Sequence, residues 1–417
     1  MGSLSVAEED KFNLQNAHEL TELSTRLDSI KIDNKSLPQK DLNIENKTRS
    51  NKFNWRGQFS PQFIELLLRE YANQSDTILD PFAGSGTVLF ESMNRGINVI
   101  GCEINPSAFE MARTVMFSKF NEDEREKIIT QADTALRKWV AGTGGKEEFY
   151  GSLLLPFRNN RDVLNVLENT LFHYASSRRK ERVRVFLTAF RKQAKIIRSL
   201  PFAKSKCDVY LCDARKMPIQ DSSVNLVITS PPYINVFNYH QNHREIVESL
   251  GYDILKIAKS EIGSNRKNRG NRYLTVIDYS VDMLQTFLEL NRVLRSDGRI
   301  IMILGRTSSI RGVSYPNYKI LSMVAEGGAG LTLTNRQERV YTNRFGERIY
   351  EDILHFRRDG EVSDNPTAFG RSVGVWALRQ SLETAPTDRL DEIRRAIGNA
   401  MDQKGSPLFD ENQRFVL

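Results

Sequence analysis

The sequence predicts an α/β protein with a doubly wound, mostly parallel sheet. Three stretches of the 417 residues carry this prediction. The first, "DTILDPFAGSGTVLFESMNRG", predicts a short strand at residues 77–79, a glycine-bearing loop and a helix that ends at Gly96. "NVIGCEINPSAFEMART" repeats the strand, turn and helix, and "LTLTNRQERVYTNRFGERIYEDILHFRR" predicts a closing antiparallel pair. Strands that alternate with helices are typical of a parallel sheet covered on both faces.

Helical patterns precede and interrupt these strands. In "FNWRGQFSPQFIELLLREYA" Ser60 is predicted to cap a helix that has Pro61 in its first turn. From Phe120 to Lys206 the apolar spacing is helical, and strands resume before Asp213 and again from Val224 to Thr229. The rest of the chain to about Ser280 is predicted to be mostly helix and loop.

These patterns predict four segments along the chain. The predicted segments are a polar N-terminal segment with a short helix and a mobile tail (1–50), an α/β domain (51–119 and 206–360), a helical insert (120–205), and a polar C-terminal tail with one helix near Thr387 to Met401 (361–417).

Composition narrows the class of protein. The formal charge of +7 and the pI near 9.1 favour a polyanionic partner. The three cysteines, Cys102, Cys207 and Cys212, lack the spacing of metal ligands, so we predict no metal and a reducing, cytoplasmic compartment. No run of eighteen apolar residues appears, and the amino terminus is acidic and polar, so we predict neither a membrane span nor a secretory signal.

Acidic residues follow the predicted strands at the glycine-bearing loop and beyond it. "DPFAGSGT", Asp80 to Thr87, has small residues between a strand and a helix, where backbone N–H groups approach a ligand closely. Glu103 ends the next strand, where an acidic side chain commonly binds both hydroxyls of a ribose. Asp213 ends the next predicted strand, where it could serve an adenine amino group. Each acid alone is also consistent with a solvated strand end, but three such ends in register indicate a nucleoside site.

A second loop presents residues in a stiff geometry. "VITSPPYINVFNYH" ends an apolar run in Thr229 and Ser230 and continues with two prolines, which fix φ and cannot extend a strand or a helix. A plain turn at the end of a strand explains a Pro-Pro pair equally well.

The two loops together resemble those of the S-adenosylmethionine-dependent amino-methyltransferases of DNA. The marks of that family are a D-P-F-x-G-S-G-T cofactor loop and a [DNS]-P-P-[YFW] catalytic loop, which here read "DPFAGSGT" and "SPPY". The resemblance covers roughly residues 53–119 and 206–357, and "GQFSPQFIELL" resembles the helix that precedes the cofactor loop. The helical insert, and the lack of a familiar target-recognition domain, depart from the family.

The resemblance implies a seven-stranded class I methyltransferase sheet with an antiparallel last strand, and S-adenosylmethionine as cofactor. It implies a catalytic loop of Ser230, Pro231, Pro232 and Tyr233. It implies a cofactor site at Phe59, Ser60, Pro61, Asp80, Pro81, Phe82, Ala83, Gly84, Ser85, Gly86, Thr87, Glu103, Ile104, Asp213, Ala214 and Ser230.

The catalytic loop suits methylation of an exocyclic amine. Ser230 Oγ and the Pro231 carbonyl can accept from the amine, and Tyr233 offers a face on which an extruded base can stack. Ser at the first position usually accompanies cytosine N4 in this family, so we predict an N4-cytosine methyltransferase of duplex DNA, acting with a restriction endonuclease. Adenine N6, an RNA or protein substrate, and a non-catalytic nucleic-acid-binding protein stay open. The oligomeric state is not predicted.

Two basic stretches are candidates for DNA contact. "RRKERVRVFLTAFRKQAKIIR", at residues 178–198, carries nine Lys or Arg against one acid, and "NRKNRGNRY", at residues 265–273, is a basic loop. A solvated helix face explains the first equally well. The DNA-contact candidates are Arg178, Arg179, Lys180, Arg266, Lys267, Arg269 and Arg272.

Overall fold

The computed structural model describes residues 6–144, 146, 150–175, 182–234, 242–264, 267–342 and 346–410, without the side chains of 6–16 and Arg182. Their contacts divide them between two compact units. The first unit comprises Met1–Asn46, Ala214–Phe237 and Ala258–Leu408. The second unit comprises Lys47–Asp213, Asn238–Ile257 and Phe409–Leu417.

The strands form a seven-stranded sheet and one separate hairpin. The nine strands are β1 (Thr77–Asp80), β2 (Asn98–Glu103), β3 (Cys207–Leu211), β4 (Val224–Thr229), β5 (Leu294–Gly305), β6 (Thr307–Ile310), β7 (Val313–Pro316), β8 (Gly330–Thr342) and β9 (Arg348–Val362). The sheet has the order β3-β2-β1-β4-β5-β9-β8. Strand β2 is parallel to β1 and β3, and β4 is parallel to β5, whereas β9 is antiparallel to β5 and β8. The predicted fold class is therefore confirmed.

Fifteen α-helices lie between and around the described strands. They are α1 (Val6–Ser29), α2 (Gln39–Asn43), α3 (Pro61–Tyr71), α4 (Thr87–Asn94), α5 (Pro106–Arg113), α6 (Glu122–Thr143), α7 (Tyr150–Leu154), α8 (Arg161–Ala175), α9 (Arg182–Arg198), α10 (Arg244–Ser249), α11 (Ile254–Ser260), α12 (Leu274–Val293), α13 (Asn317–Met323), α14 (Pro366–Ser381) and α15 (Leu390–Gly398). Short 3-10 turns occur at Thr114–Lys119, Leu155–Phe157, Thr387–Arg389 and Ala400–Asp402, and a π turn at Val324–Gly328.

The second unit contains strands β1 to β3 and helices α3 to α10. The predicted helical insert corresponds to α6, α7, α8 and α9. Helix α6 begins at a capping box, in which the Asn121 side chain accepts from Glu124 N and the Glu124 side chain accepts from Asn121 N. Buried polar side chains join the insert to α5, since Asn165 and Asn169 both donate to the Glu110 carbonyl.

In the first unit the N-terminal segment is ordered further than predicted. Helix α1 is 24 residues long, and its Leu20 and Leu27 are buried. After it, Asp33 N donates to the Arg336 carbonyl at 2.7 Å, and Gln39 Nε2 donates to the Glu338 carbonyl at 2.8 Å. The prediction of a short helix and a mobile tail is therefore wrong, because residues 30–43 pack along β8.

The C-terminal segment also differs from the predicted tail. Strand β9 reaches Val362, and α14 follows it with a buried face against α12. A Cβ on Gly374 would lie 2.6 Å from Ile277 Cα, so the two helices approach closely at a glycine. The predicted helix near Thr387 to Met401 corresponds to α15 and its flanking 3-10 turns. The β6-β7 hairpin was not predicted.

Among the described helices, none combines the length and the apolar character that crossing a membrane requires.

Candidate functional site

The glycine-bearing loop between β1 and α4 has a conformation that only glycine tolerates well. Gly84 has φ +52° and Gly86 has φ +91°. A Cβ on Gly86 would lie 2.9 Å from Ala112 Cα, which is closer than packed carbon atoms come. Asp80 is buried at the end of β1, and one of its carboxylate oxygens accepts from Phe82 N at 3.1 Å. The loop is thus a tight turn against α5.

Glu103 lies at the end of β2 and is joined to this loop. Its Oε2 accepts from Gly84 N at 2.7 Å, and its Oε1 accepts from Asn105 N at 2.8 Å. The structure therefore brings together two of the predicted elements, the glycine loop and the acid of the next strand.

The segment before α3 lies against the same loop. Gln58 Oε1 accepts from Ser85 Oγ at 2.7 Å, and the Trp55 ring is 3.4 Å from the position of a Cβ on Gly84. Ser60 stands at the start of α3, where its buried Oγ makes neither a capping bond nor any other hydrogen bond within the described residues. The contacts of Trp55 and Gln58 were not predicted, because both depend on pairing across about thirty residues of chain.

Asp213 lies two residues beyond β3 and is buried. Cys212 N donates to the Glu103 carbonyl at 3.1 Å, which fixes the end of β3 beside the end of β2. Asp213 Oδ2 accepts from Phe409 N at 3.0 Å. The second unit therefore holds both acids at one edge of its strands, and Phe409 is a neighbour that the sequence analysis missed.

The Ser-Pro-Pro-Tyr loop follows β4 in the first unit. The fully buried Tyr279 of α12 donates its hydroxyl to the Pro232 carbonyl at 3.0 Å. A Cβ on Gly263 would lie 2.4 Å from the Tyr233 carbonyl oxygen, and one on Gly305 would lie 3.6 Å from the Tyr233 ring. Burial, and then Tyr233, raise the pKa of Tyr279, which therefore stays a neutral hydrogen-bond donor. Backbone and ring of this loop are both held in place.

Comparisons with known proteins bear on the glycine loop. A family model described as DNA methylase matches residues 7–114, which include the glycine loop and Glu103. The type II methyltransferase M.MjaII of Methanocaldococcus jannaschii is 34% identical over 93 residues, which are 22% of this chain and 17% of that protein. The type II methyltransferase M.HpaI of Haemophilus parainfluenzae is 39% identical over 80 residues, which are 18% of this chain and 26% of that protein.

Over these stretches the chain is similar to the DNA methylase family and to type II methyltransferases. It spans about a sixth to a quarter of the length of these two relatives. Among solved structures, a SAM-dependent methyltransferase from Methanosarcina mazei is 11% identical with a TM-score of 0.29, over 71% of this chain and 98% of that one.

The sequence resemblance implies S-adenosylmethionine as cofactor, and the residues at this edge of the second unit fit it. The cofactor has a ribose with two hydroxyls and an adenine with an amino group, and both are donors that need acceptors. Glu103 and Asp213 supply carboxylates, and a carboxylate oxygen can accept more than one hydrogen bond. The unpartnered Ser60 Oγ is a further polar group that a ligand could satisfy.

The residues predicted to contact DNA differ in their exposure and in their ion pairing. Lys267 Nζ donates to Asp278 Oδ1 at 3.0 Å and to the Gly405 carbonyl at 2.8 Å, so its charge is paired within the fold. Arg269 and Arg272 are exposed. The candidates Arg178, Arg179, Lys180 and Arg266 lie outside the described residues.

No group of three or more His, Cys, Asp or Glu in the described part of the chain is arranged to hold a metal ion.

Proposed function

We propose that the chain transfers a methyl group from S-adenosylmethionine to the N4 amine of a flipped cytosine in duplex DNA. The observation that carries this proposal is the Ser-Pro-Pro-Tyr loop after β4, whose backbone is held by Tyr279 and Gly263. This loop lies outside the residues that the family model matches, so its role rests on its own sequence and geometry.

Methylation of an exocyclic amine requires hydrogen-bond acceptors in fixed positions. An exocyclic amine is conjugated to its ring, and acceptors aimed at its hydrogens favour the pyramidal, nucleophilic nitrogen. Ser230 Oγ and the Pro231 carbonyl are the proposed acceptors. The Tyr279 bond to the next carbonyl, that of Pro232, limits movement of this backbone, which supports their use as a pre-formed pair.

Tyr233 is the proposed platform for the flipped base. Its ring lies against Gly305, at ordinary contact distance for a Cβ placed there, so β5 supports one part of the ring. An aromatic ring supported in this way can stack on a base at little cost in conformational entropy.

The second unit is proposed to hold the cofactor, whose sulfonium would supply an electrophilic methyl group and become a neutral thioether, while the methylated amine would release one proton to solvent. Glu103 is assigned to the ribose hydroxyls and Asp213 to the adenine amino group, and backbone N–H groups of the glycine loop are assigned to the rest of the cofactor. Ser60, Trp55 and Gln58 close the site from the segment before α3. The remaining residues of the predicted cofactor set, Ala214 and Ser230 among them, keep their proposed roles.

Two relatives are type II methyltransferases, which supports methyl transfer, and action beside a restriction endonuclease is part of the proposal. Adenine N6 is the alternative substrate, because the family includes enzymes of both kinds. Serine in the first position of the loop favours cytosine.

Identification of the methylated nucleoside tests the proposal. Purified protein is incubated with S-adenosylmethionine and unmethylated duplex DNA, the DNA is digested to nucleosides, and the products are separated and weighed by mass spectrometry. We expect N4-methylcytosine. N6-methyladenine would contradict only the inference of cytosine from Ser230. The absence of any methylated nucleoside, whichever duplex is used, would contradict the enzymatic function.

A further inference from the structure

Helix α9 divides cleanly into an apolar side and a basic side. Its inward side chains include Val185, Phe186, Phe190 and Ile197, which are buried. Its outward side chains in the C-terminal half are exposed, and three of them, Arg191, Lys192 and Lys195, are cations. Residues three and four apart share a helix face, so these three form one patch, the α9 basic face.

The α9 basic face has no acidic partner among the residues that the structure describes. The next cation along the helix, Arg198, donates to both carboxylate oxygens of Glu126 on α6, at 2.5 and 2.8 Å. By contrast, Arg191, Lys192 and Lys195 pair with no carboxylate in the described part of the chain. Three neighbouring cations without a counter-charge attract a polyanion.

The position of this face links it to the cofactor loop within the second unit. Just beyond α9, Ser199 Oγ accepts from Lys52 Nζ at 3.0 Å, so a fourth cation continues the surface. Lys52 belongs to the segment before α3, and that segment reaches the glycine loop through the hydrogen bond between Gln58 and Ser85. A polyanion on the α9 basic face would therefore lie against the segment that closes the cofactor loop.

We propose that the α9 basic face binds the phosphate backbone of the duplex DNA that is methylated, an inference that rests on the proposed function. Arg191 and Lys195 are separated by about 6 Å along the helix axis, from a rise of about 1.5 Å per residue. One strand of B-DNA carries a phosphate about every 3.4 Å along the axis. The two cations are therefore far enough apart along the helix to contact different phosphates of one strand.

A phosphate contact of this kind predicts affinity without base selectivity. Side chains of Arg and Lys on an exposed helix face can follow any sequence, because the phosphates are identical along the duplex. The face is therefore assigned to positioning of DNA, and the choice of target base is left to the Ser-Pro-Pro-Tyr loop.

The test compares two double variants of the full-length chain. R191Q/K195Q removes two charges from the α9 basic face, and K127Q/K138Q removes two exposed lysine charges from α6 of the same insert. Dissociation constants for one duplex are measured at several salt concentrations, and the KM for DNA and the kcat are measured on the same duplex. Removal of one phosphate-binding charge should reduce the log–log salt slope by about 0.9.

We expect R191Q/K195Q to reduce the slope by about 1.8 and to raise the KM for DNA, with kcat unchanged at saturating DNA. The α6 control should keep the wild-type slope. If R191Q/K195Q also keeps the wild-type slope while the wild-type protein methylates DNA, the inference is wrong and the proposed function stands. If the slope falls as expected but no duplex is methylated, the surface is supported and the proposed function is contradicted.

Discussion

Glu103 and Gly84 are joined across the cofactor loop: Oε2 of the glutamate accepts a 2.7 Å hydrogen bond from the glycine N–H. The other oxygen accepts from Asn105 N, so both ends of the carboxylate are fixed before any ligand binds. Gly84 has φ +52°, a conformation in which its N–H can turn toward β2. One side chain thus sets the shape of the loop and faces the proposed ribose site.

Replacement of this carboxylate should weaken cofactor binding. We expect Glu103→Ala to reduce affinity for S-adenosylmethionine by about 1–3 kcal/mol, because the hydrogen bonds to a charged acceptor disappear. Titration calorimetry measures the effect. Glu383→Ala, in an exposed turn, is the control and should bind as the wild type does. Equal affinities of the two variants would refute the assignment of Glu103.

The Tyr279 hydroxyl provides a test of the stiffness of the Ser-Pro-Pro-Tyr loop. Tyr279→Phe keeps the buried ring and removes the donor to the Pro232 carbonyl. Loss of this hydrogen bond should raise the activation free energy by about 1 kcal/mol, which lowers kcat roughly fivefold. Affinity for S-adenosylmethionine should be unchanged. Tyr315→Phe, at another fully buried tyrosine, is the matched control. A wild-type kcat in Tyr279→Phe would show that this bond has no part in turnover.

Ser230 should matter more for turnover than for DNA binding. In the proposed mechanism its oxygen acts mainly as the amine nitrogen becomes pyramidal, so Ser230→Ala should lower kcat about 10- to 100-fold while the dissociation constant for duplex DNA changes little. Single-turnover rates and binding isotherms separate the two quantities. Ser223→Ala, which removes a local bond to the Gln220 carbonyl, serves for comparison. A reduction in DNA affinity that accounts for the whole effect would contradict the acceptor role.

Acid should destabilise the fold through His243, whose ring stacks on Trp55. Burial lowers the pKa of His243 from 6.5 to about 4. Between pH 6.5 and pH 4 the unfolded chain therefore binds a proton that the folded chain does not, and stability falls as the pH falls. His243→Phe should reduce this fall by up to about 1.4 kcal/mol per pH unit.

Urea unfolding at pH 7, 6 and 5 measures the difference. Thr134→Ala, on the exposed side of α6, changes no titratable group and should leave the pH dependence of the wild type intact. A His243→Phe profile parallel to that of the wild type would mean that this ring is protonated equally in both states.

The sequence predicts the parts of the molecule whose signals are local. Strand β1, the glycine loop and α4 form one continuous stretch, and Glu103 ends the strand that follows, so the loop and the acid beside it could be predicted along the chain. Gln58, Tyr279 and Phe409 could not, since their hydrogen bonds cross 27, 47 and 196 residues of sequence. The features that could be predicted and the residues that were missed therefore differ in the distance of their contacts along the chain, rather than in residue type.

Helix α14 was missed for a different reason. Gly370 and Gly374 lower the helix propensity of its sequence. Their role, which is to let α12 pack closely against α14, is visible only in the folded structure. The ion pair of Lys267 with Asp278 was likewise hidden, because a basic stretch in the sequence does not show which of its charges is already neutralised. In both cases tertiary packing outweighs the local signal.

The close approach of Gly374 to Ile277 gives α12 a mechanical role. Ile277 and Tyr279 are two residues apart, so they point to nearly opposite sides of the helix. One side is fixed by a glycine of α14, and the other carries the hydroxyl that donates to the Pro232 carbonyl. A methyl group added at Gly374 would displace α12 on its α14 side, and this displacement would be transmitted to the Ser-Pro-Pro-Tyr loop on the opposite side of α12.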